Sequence, residues 1–456
     1  MGAKRPILFV AVLVVAAALV WAVMGMSLGG TPEPAPQAAE QSSPSAGPPS
    51  GTPAPEPADG ELPRIPWEGG PAYYDRFPST KAAGWSDPSF FPIGVWYESV
   101  ITQDDVDKDR EAGINTYVEL TETSDMALIR NNGMFAMPSK PLAGYGDETV
   151  AWLITDEADM WAGPGDDGWT GKFPGEGPLC IPDDPHKQRC GNTVMKTLKD
   201  RLPKDGRPHY ANYGKGVMIW QTDKQAARFV NSYTDMVSLD VYWYTSYYAC
   251  IDGQNYLKLK ADQCGRAANY GLLIDRQRKL DAEDGKRQPI YAFVEVGHPA
   301  PEDKRQIEGA EVKGAVMNSL IHEARGVIYF NHSFGGSCQS QHVLRDACGT
   351  KTRPAVIEVN RQIKQLAPVL NTQSLDFAFG SGVDTMLKRH DGFYYLFAMP
   401  SASGKPGEHT FTLPPGVRPG QGEVLFENRR VEVDASGRFK DTFEAEHSYH
   451  VYKFPA

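Results

Sequence analysis

The stretch Ala151-Trp152-Leu153-Ile154-Thr155-Asp156-Glu157 is a short apolar run that ends in two acidic residues. The stretch Pro289-Ile290-Tyr291-Ala292-Phe293-Val294-Glu295 has the same character, and loop-like sequence follows both runs. A carboxylate that closes a buried parallel strand lies at the rim where the strand meets its loop, and barrel enzymes place their catalytic groups at that rim. The two runs therefore predict a pair of glutamates that share one site.

Strand-like runs alternate with amphipathic, helical ones between residues 67 and 370. This alternation is typical of a parallel sheet wrapped by helices. The strand candidates are residues 92–97, 116–120, 134–137, 150–154, 209–212, 237–243, 290–294 and 327–330. Between them lie amphipathic stretches at 104–112, 223–233 and 312–324. A (β/α)8 TIM barrel is the simplest closure of these strands, and we predict one over residues 67–371.

The last part of the chain, residues 372–456, has a different pattern. Alternating strands at 385–389 and 393–397 are separated by the turn-like sequence His390-Asp391-Gly392. We predict a small antiparallel β-sandwich here. Its sequence shows no ladder of exposed aromatic residues, so a packing or stabilising role is the expectation.

The first residues read as a membrane segment. Lys4 and Arg5 precede an uninterrupted apolar run from 7 to 26, close to the ~20 residues that a helix needs to span a bilayer. We predict an uncleaved transmembrane anchor at 1–28, which tethers the chain to the cell membrane with its folded part on the outside. The alternative is a cleaved signal peptide and a secreted protein, but the run is long for one and no clear Ala-x-Ala site follows closely.

Residues 29–66 are rich in Pro, Ala, Ser and Gly. Such a composition cannot bury enough apolar surface to offset chain entropy, and it tends toward extended conformations. We predict a linker between the membrane segment and the barrel.

Six cysteines fall as three neighbouring couples: Cys180 with Cys190, Cys250 with Cys264, and Cys338 with Cys348. Disulfides that staple loops are the natural inference, although the sequence alone leaves other connectivities open. A zinc site would need tighter Cys-x-x-Cys spacing or added histidines. Disulfides require an oxidising compartment, which agrees with export.

Charge and missing motifs narrow the function. The chain has 46 Lys and Arg against 57 Asp and Glu, a net charge of −11, so nucleic acid is not expected as a partner. The sequence contains no P-loop, no Gly-x-Ser-x-Gly elbow and no His-Glu-x-x-His. The first strand lacks the His-x-His of barrel metallohydrolases, so we predict neither a catalytic metal nor a cofactor.

With these residues in hand, the chain resembles the retaining (β/α)8 glycoside hydrolases of clan A. In that clan the acid/base glutamate ends the fourth strand and the nucleophilic glutamate ends the seventh, positions that Glu157 and Glu295 match. Many members also carry an appended β-sandwich. The resemblance implies cleavage of β-linked sugars with retention of configuration, through a covalent glycosyl-enzyme intermediate, on an oligo- or polysaccharide substrate.

The resemblance also suggests roles for neighbouring residues. Asp156 stands where most members have Asn, and it would contact the sugar 2-hydroxyl. Ala158 stands where proline often follows in the Asp-Glu branches, so no numbered family is assigned. Tyr242 and Tyr244 are both candidates for the tyrosine that orients the nucleophile.

Other polar or aromatic side chains near strand ends are candidates for lining the pocket. For each of them the alternative is hydrogen bonding among loops. The candidates for substrate binding are Glu98, Asn212, His298, His332, Trp161 and Trp169, with Glu119, Glu122 and Asn331 as weaker ones. Trp161 and Trp169 lie in a long loop after the fourth strand and would stack on sugar rings.

Two other classes of function remain open at this point. A barrel could bind polysaccharide of the cell envelope without cleaving it, or it could serve only as a structural scaffold. The separation of the two carboxyl groups and their access to solvent distinguish these alternatives from an enzyme.

Overall fold

The computed structural model describes residues 62–162, 191–302, 305–415, 417 and 420–456. Its centre is a parallel eight-stranded sheet. The strands are β1 (Ile93–Glu98), β2 (Thr116–Leu120), β3 (Phe135–Met137), β4 (Trp152–Asp156), β5 (His209–Tyr213), β6 (Met236–Leu239), β7 (Ile290–Glu295) and β8 (Gly326–Phe330). All eight predicted strands are confirmed.

The sheet closes on itself. Its order is β3-β2-β1-β8-β7-β6-β5-β4, and backbone hydrogen bonds connect the two ends. Ala136 N donates to Glu148 O at 2.7 Å, Val150 N donates to Ala136 O at 3.0 Å, and Leu153 N donates to Pro138 O at 3.0 Å. The predicted TIM barrel is therefore confirmed, and all its strands end at one rim.

One strand boundary differs from the prediction in a way that matters. β6 ends at Leu239, whereas the apolar run suggested an end at 243. The chain leaves the sheet at Asp240, whose N–H makes a last bond to Tyr213 O at 2.8 Å. A buried carboxylate needs polar partners. The carboxyl group of Asp240 finds them at the rim of the barrel and would not find them in its wall.

Helices lie between the strands. They are α1 (Pro78–Ala82), α2 (Gln103–Glu111), α3 (Met126–Asn131), α4 (Ala158–Trp161), α5 (Gly191–Arg201), α6 (Asp223–Ser232), α7 (Tyr247–Tyr256), α8 (Ala268–Asp281), α9 (Gly309–Ile321) and α10 (Arg353–Leu370). The three predicted helices correspond to α2, α6 and α9. Capping boxes begin α2, at Thr102 with Asp105, and α6, at Thr222 with Gln225, because these side chains satisfy backbone N–H groups that the helix leaves free.

The interior of the barrel is filled by large side chains. Trp96, Tyr210, Tyr291 and Phe293 are each no more than 7% exposed and belong to one cluster. The buried tyrosine hydroxyls have partners: that of Tyr291 lies 2.6 Å from the Tyr74 hydroxyl, and that of Tyr210 lies 2.5 Å from Ser238 Oγ. The barrel is a packed core, so any substrate must bind above the rim.

The C-terminal region forms antiparallel sheets, as predicted. Its strands are β9 (Val383–His390), β10 (Phe393–Pro400), β11 (Gly407–Thr412), β12 (Gly420–Val424), β13 (Arg429–Val433), β14 (Arg438–Phe443) and β15 (His450–Pro455). Five strands pair in the order β13-β12-β15-β10-β9, and β11 pairs with β14. At the β9–β10 turn, Asp391 has φ 47° and Gly392 has φ 74°, the left-handed pair that two-residue hairpins favour.

These sheets pack against the barrel. Asn318 of α9 donates to Asp384 at 3.0 Å, and the Tyr244 hydroxyl donates to Glu446 at 2.6 Å. The end of the predicted linker joins them, because Arg64 forms an antiparallel bridge with Leu375.

The predicted membrane anchor, residues 1–28, lies outside the described residues. Within the part of the chain that the structure describes, no helix is both long and apolar enough to cross a membrane.

The three cysteine couples have different outcomes. Cys338 and Cys348 form a disulfide, as predicted. Cys250 and Cys264 are free thiols, so that predicted pairing is wrong for this structure. The two sulfurs meet as hydrogen-bonded thiols, and burial, followed by the contact with Cys264, raises the pKa of Cys250 to about 12. Cys180 and Cys190 lie outside the described residues.

Removing the Cys338–Cys348 bond should destabilise the protein. The bond closes a loop with a sequence separation of 10, so Cys338→Ala with Cys348→Ala is expected to lower the free energy of unfolding by about 3 kcal/mol, mainly through the entropy of the unfolded chain. Urea unfolding measures the loss, with Cys250→Ala and Cys264→Ala as the matched control pair. Equal losses for both pairs would contradict the prediction.

Candidate active site

Acidic side chains gather at the C-terminal ends of the barrel strands. They come from five of the eight strand ends: Glu98, Glu119, Asp156 with Glu157, Asp240, and Glu295. Asp240 is the one that sequence reasoning missed, because it was assigned to the interior of the sixth strand.

Glu157 follows β4 directly and has an unusual backbone. Its φ is 47° and its ψ is 33°, a left-handed conformation that costs a residue with a Cβ roughly 1–2 kcal/mol. Its N–H donates to Asn212 O at 2.9 Å. Strained residues of this kind concentrate at functional sites, and Glu157 is partly exposed.

Gly214 makes room for the Glu157 carboxyl. A Cβ at this position would lie 2.8 Å from Glu157 Oε1 and would also collide with the sulfur of Met160. Glycine is needed at this position because the carboxyl lies directly over the backbone that leaves β5.

Asn212 connects two carboxylates of the rim. Its Nδ2 donates to Asp156 Oδ1 at 2.9 Å and to Asp240 Oδ1 at 3.0 Å. Its Oδ1 accepts from the hydroxyl of Ser238 at 2.5 Å. The structure thus brings the predicted Asp156 and Asn212 together and adds Asp240 to them.

Asp240 also contacts Glu157 and Tyr242. Its carboxyl is within hydrogen-bonding reach of the Glu157 carboxyl and of the Tyr242 hydroxyl. Tyr242 packs against Phe330 with ring centroids 5.1 Å apart. Tyr242 was a candidate for orienting the nucleophile Glu295, but its hydroxyl contacts Asp240.

Burial and mutual repulsion keep protons in this cluster. Burial, followed by the charge of Asp240, raises the pKa of Asp156 to about 8. Burial, then the charges of Asp240 and Asp156, raises the pKa of Glu157 well above its usual range. Burial also raises the pKa of Asp240, but hydrogen bonds from Tyr242, Asn212 and Glu157 oppose it. Glu157 and Asp156 therefore both favour the protonated form near neutral pH, and Asp240 is the best stabilised anion.

Asp159 supports this arrangement from below. It is buried and accepts hydrogen bonds from Gly214 N at 3.1 Å and Val217 N at 2.7 Å. A short π-helical turn, Gly216–Trp220, follows β5 here, and such turns are frequent at functional sites. Asp159 was not predicted, since nothing in the sequence separates it from an ordinary residue near the start of a helix.

Glu295 closes β7 and is 0% exposed. The hydroxyl of Tyr270 donates to its Oε2 at 2.5 Å, while Tyr244 N and Thr245 Oγ1 contact its Oε1 at 3.3 and 3.5 Å. The tyrosine hydroxyl on this carboxyl therefore belongs to Tyr270, which the sequence analysis missed. Tyr244 contributes its backbone N–H and stacks on Tyr270, with ring centroids 5.7 Å apart.

The two predicted catalytic glutamates thus lie at the predicted strand ends but belong to different networks. Glu157 contacts Asp240, whereas the described partners of Glu295 are Tyr270 on α8 and two residues after β6, Tyr244 and Thr245.

Glu98 lies in a buried ionic network at the end of β1. It is 0% exposed, accepts hydrogen bonds from Asn331 and His342, and lies 3.1 Å from Arg345 Nη1. Burial raises the pKa of Glu98, while His342 and Arg345 oppose that shift. Arg345 also holds the buried Asp109 at 2.5 Å. Glu98, which was predicted to contact substrate, thus links β1 to the loop after β8.

Arg345→Met should be strongly destabilising, because it leaves Glu98 and Asp109 buried without their cation. We expect the free energy of unfolding to fall by about 3–5 kcal/mol, measured by urea unfolding. Lys440→Met is the control, since Lys440 and Glu408 form an exposed pair worth no more than about 1 kcal/mol. A loss for Arg345→Met no greater than for this control would show that the network does not stabilise the fold.

The predicted histidines make mainly loop contacts. His332 Nε2 lies 3.1 Å from Tyr97 O, and burial lowers the pKa of His332 to about 4, so it is neutral. The N–H of His298 faces Ser333 Oγ at 3.3 Å, and its ring lies beside Gly335 and Gly336. Both residues shape the loop after β8.

The remaining candidates differ in exposure. Trp161 is 47% exposed and donates its Nε1–H to Asp156 O at 2.7 Å, so its ring lies beside the carboxyl cluster. Glu119 is half-buried and accepts from Ser139 N at 3.2 Å, whereas Glu122 pairs with Lys140 on the surface. Trp169 lies outside the described residues. Among the residues that are described, no three His, Cys, Asp or Glu side chains are grouped to hold a metal ion.

No family model and no curated protein matches the sequence.

The structure is similar to solved structures at low identity. The family 30 subfamily 8 xylanase of Clostridium acetobutylicum shares 11% identity over 80% of this chain and 96% of its own, with a TM-score of 0.42. The family 51 α-L-arabinofuranosidase of Bifidobacterium longum shares 10% over 81% and 96%, with a TM-score of 0.40. The maltogenic α-amylase of Thermotoga neapolitana shares 10% over 81% and 99%, with a TM-score of 0.42.

These neighbours are glycoside hydrolases. The strand order is established by this chain's own pairing. At these TM-scores the likeness carries no argument about reaction or substrate.

Proposed function

We propose that this protein is a glycoside hydrolase that uses Glu157 as its general acid and base. The observation that carries the proposal is the cluster at the barrel mouth, where a partly exposed Glu157 contacts the carboxyl group of Asp240 and has a raised pKa. Hydrolysis of a glycosidic bond needs a carboxylic acid to protonate the leaving oxygen and a second carboxylate to assist at the anomeric carbon. The raised pKa of Glu157 keeps it in the acid form that the first task requires.

Glu295 is proposed as the nucleophile. Hydrogen bonds from Tyr270 and Tyr244 fix the direction of its oxygens, as a nucleophile in a preorganised site requires. A retaining double displacement requires a separation of ~5–5.5 Å between the two carboxyl groups. We therefore expect β-linked sugars to be cleaved with retention, through a glycosyl ester on Glu295.

The proposed substrate is an oligo- or polysaccharide. The exposed ring of Trp161 lies beside Asp156 and could stack on a sugar, while Asp156 would meet a sugar hydroxyl. The apolar run at 7–26 and the Cys338–Cys348 disulfide support a proposed location outside the cell, with the chain anchored in the membrane.

A single experiment tests this proposal. The full chain is incubated with a panel of aryl β-glycosides and β-linked polysaccharides, and NMR records the first anomer released. Turnover with release of the β-anomer supports hydrolysis with retention. Release of the α-anomer would overturn the role of Glu295 but not hydrolysis, because an inverting enzyme uses its second carboxylate on water.

One observation favours a second candidate, a barrel that binds polysaccharide without cleaving it. Glu295 is 0% exposed, and a nucleophile must reach the anomeric carbon. Binding of a polysaccharide by the folded chain, with no turnover of any panel member, would establish this alternative and overturn the proposed hydrolysis.

A further inference from the structure

We infer that Asp240 is a positioning residue that holds the Glu157 proton in place until the glycosidic oxygen of the substrate replaces it as acceptor. The inference deepens the proposed function and rests on it for its catalytic meaning. Its structural content, a proton shared between two named carboxyl groups, can be tested separately.

The geometry requires a shared proton. Asp240 follows β6 and is 7% exposed, and its carboxyl lies within hydrogen-bonding reach of that of Glu157. Two ionised carboxylates are only acceptors and repel each other. A hydrogen bond between Asp240 and Glu157 therefore exists only if one of them carries a proton.

The surrounding donors decide which residue carries it. Asp240 accepts from Asn212 Nδ2 at 3.0 Å and from the Tyr242 hydroxyl. Such bonds stabilise an anion. The proton therefore resides on Glu157 and points toward Asp240.

The charges that face Glu157 agree with this assignment. The groups are Asp240 after β6, Asp156 on β4 and Asp159 on α4, all of them acidic. A cation follows Gly214 in the chain, Lys215, but its ammonium pairs with Asp252 at 3.0 Å. The cluster thus retains a proton through repulsion among its own carboxylates.

In the proposed reaction the proton on Glu157 changes acceptor. The glycosidic oxygen displaces Asp240 as the acceptor, and the proton passes to this oxygen as the bond to the anomeric carbon breaks and Glu295 bonds to that carbon. Water then attacks the same carbon, its proton passes to Glu157, and the ester to Glu295 breaks. Asp240 remains an anion throughout, with Asn212 and Tyr242 still bonded to it.

Asp240→Asn tests the inference through the pH profile of kcat/KM. The substitution removes a negative charge beside Glu157, so the alkaline limb of the profile should move to lower pH by ~1–3 units. A glycoside with a poor leaving group should lose ~10- to 100-fold at neutral pH, since it depends on acid assistance. An activated aryl glycoside should lose much less.

Asp156→Asn is the matched control. It removes a neighbouring carboxyl group, but Asp156 is bonded to Asn212 and is not the residue that accepts the Glu157 proton. Its alkaline limb should move less than that of Asp240→Asn. Equal shifts in the two variants would overturn a specific role for Asp240, and circular dichroism confirms that both variants are folded.

A second measurement does not depend on turnover. NMR of the full chain labelled with ¹³C-glutamate follows the titration of Glu157, assigned by its absence in Glu157→Gln. The parent should titrate well above an ordinary glutamate, and Asp240→Asn should lower this midpoint by ~1–3 units. An unchanged midpoint overturns the inference. A lowered midpoint in a chain that cleaves no glycoside would retain the shared proton and reject the proposed hydrolysis.

Discussion

Glu157→Gln should reduce kcat/KM by ~10²–10⁴-fold on glycosides with poor leaving groups, because the variant cannot donate a proton to the departing oxygen. The amide keeps the size of the side chain and can still contact Asp240. The loss should therefore come from chemistry, with little change in the free energy of unfolding. Kinetics on a series of aryl glycosides of graded leaving-group pKa measure the effect.

Azide provides the control for Glu157. In Glu157→Gly the space left by the side chain admits a small anion, and azide can attack the glycosyl-enzyme without base assistance. Addition of azide should restore turnover of an activated substrate and yield a glycosyl azide of retained configuration. A loss that is equal for all leaving groups, with no rescue by azide, would contradict the acid/base role.

The pH dependence of the parent follows from the same residue. A general acid works only while it is protonated, so activity is lost as the pH rises through its pKa. Burial and the charges of Asp240 and Asp156 raise the pKa of Glu157 well above its usual range. The alkaline limb of kcat/KM should therefore lie well above the pH at which an exposed glutamate ionises.

The fold could be predicted because each strand of the barrel is a local signal. Buried parallel strands are continuous apolar runs, so β2 (Thr116–Leu120) begins and ends at the predicted residues. β6 was extended by four residues because Val241 and Trp243 continue the apolar pattern, although both pack outside the sheet. Asp240 was therefore assigned to the interior of a strand. An acidic residue inside an apolar run was the sequence signal that could have identified it.

The partners of the carboxyl groups could not be predicted in the same way. Tyr270 lies 25 residues before Glu295, on a helix whose rotation about its axis decides which ring reaches the rim. Glu98 resembled a pocket residue by its place after β1, but its partner Arg345 is more than 200 residues away in sequence. Such contacts depend on how loops fold over the barrel, and no local pattern encodes them.

Glu295→Gly should reduce turnover by ~10⁴-fold or more, the scale seen when a covalent nucleophile is removed. The described contacts of Glu295 come from Tyr270, Tyr244 and Thr245, which supply hydrogen-bond donors. Azide should restore cleavage of an activated substrate by direct displacement. The product would be a glycosyl azide of inverted configuration, which separates this variant from Glu157→Gly.

Tyr270→Phe is the matched control for Glu295, because it keeps the carboxyl and removes only the hydroxyl that lies 2.5 Å from its Oε2. A hydrogen bond to a charged group contributes ~1.5–3 kcal/mol, so this variant should lose ~10- to 100-fold and should gain nothing from azide. If Glu295→Gly kept most of the parental activity, Glu295 would be a structural residue. Its complete burial would then explain why it does not reach the substrate. Asp240, which lies beside Glu157, would be the candidate for the second carboxylate of the reaction.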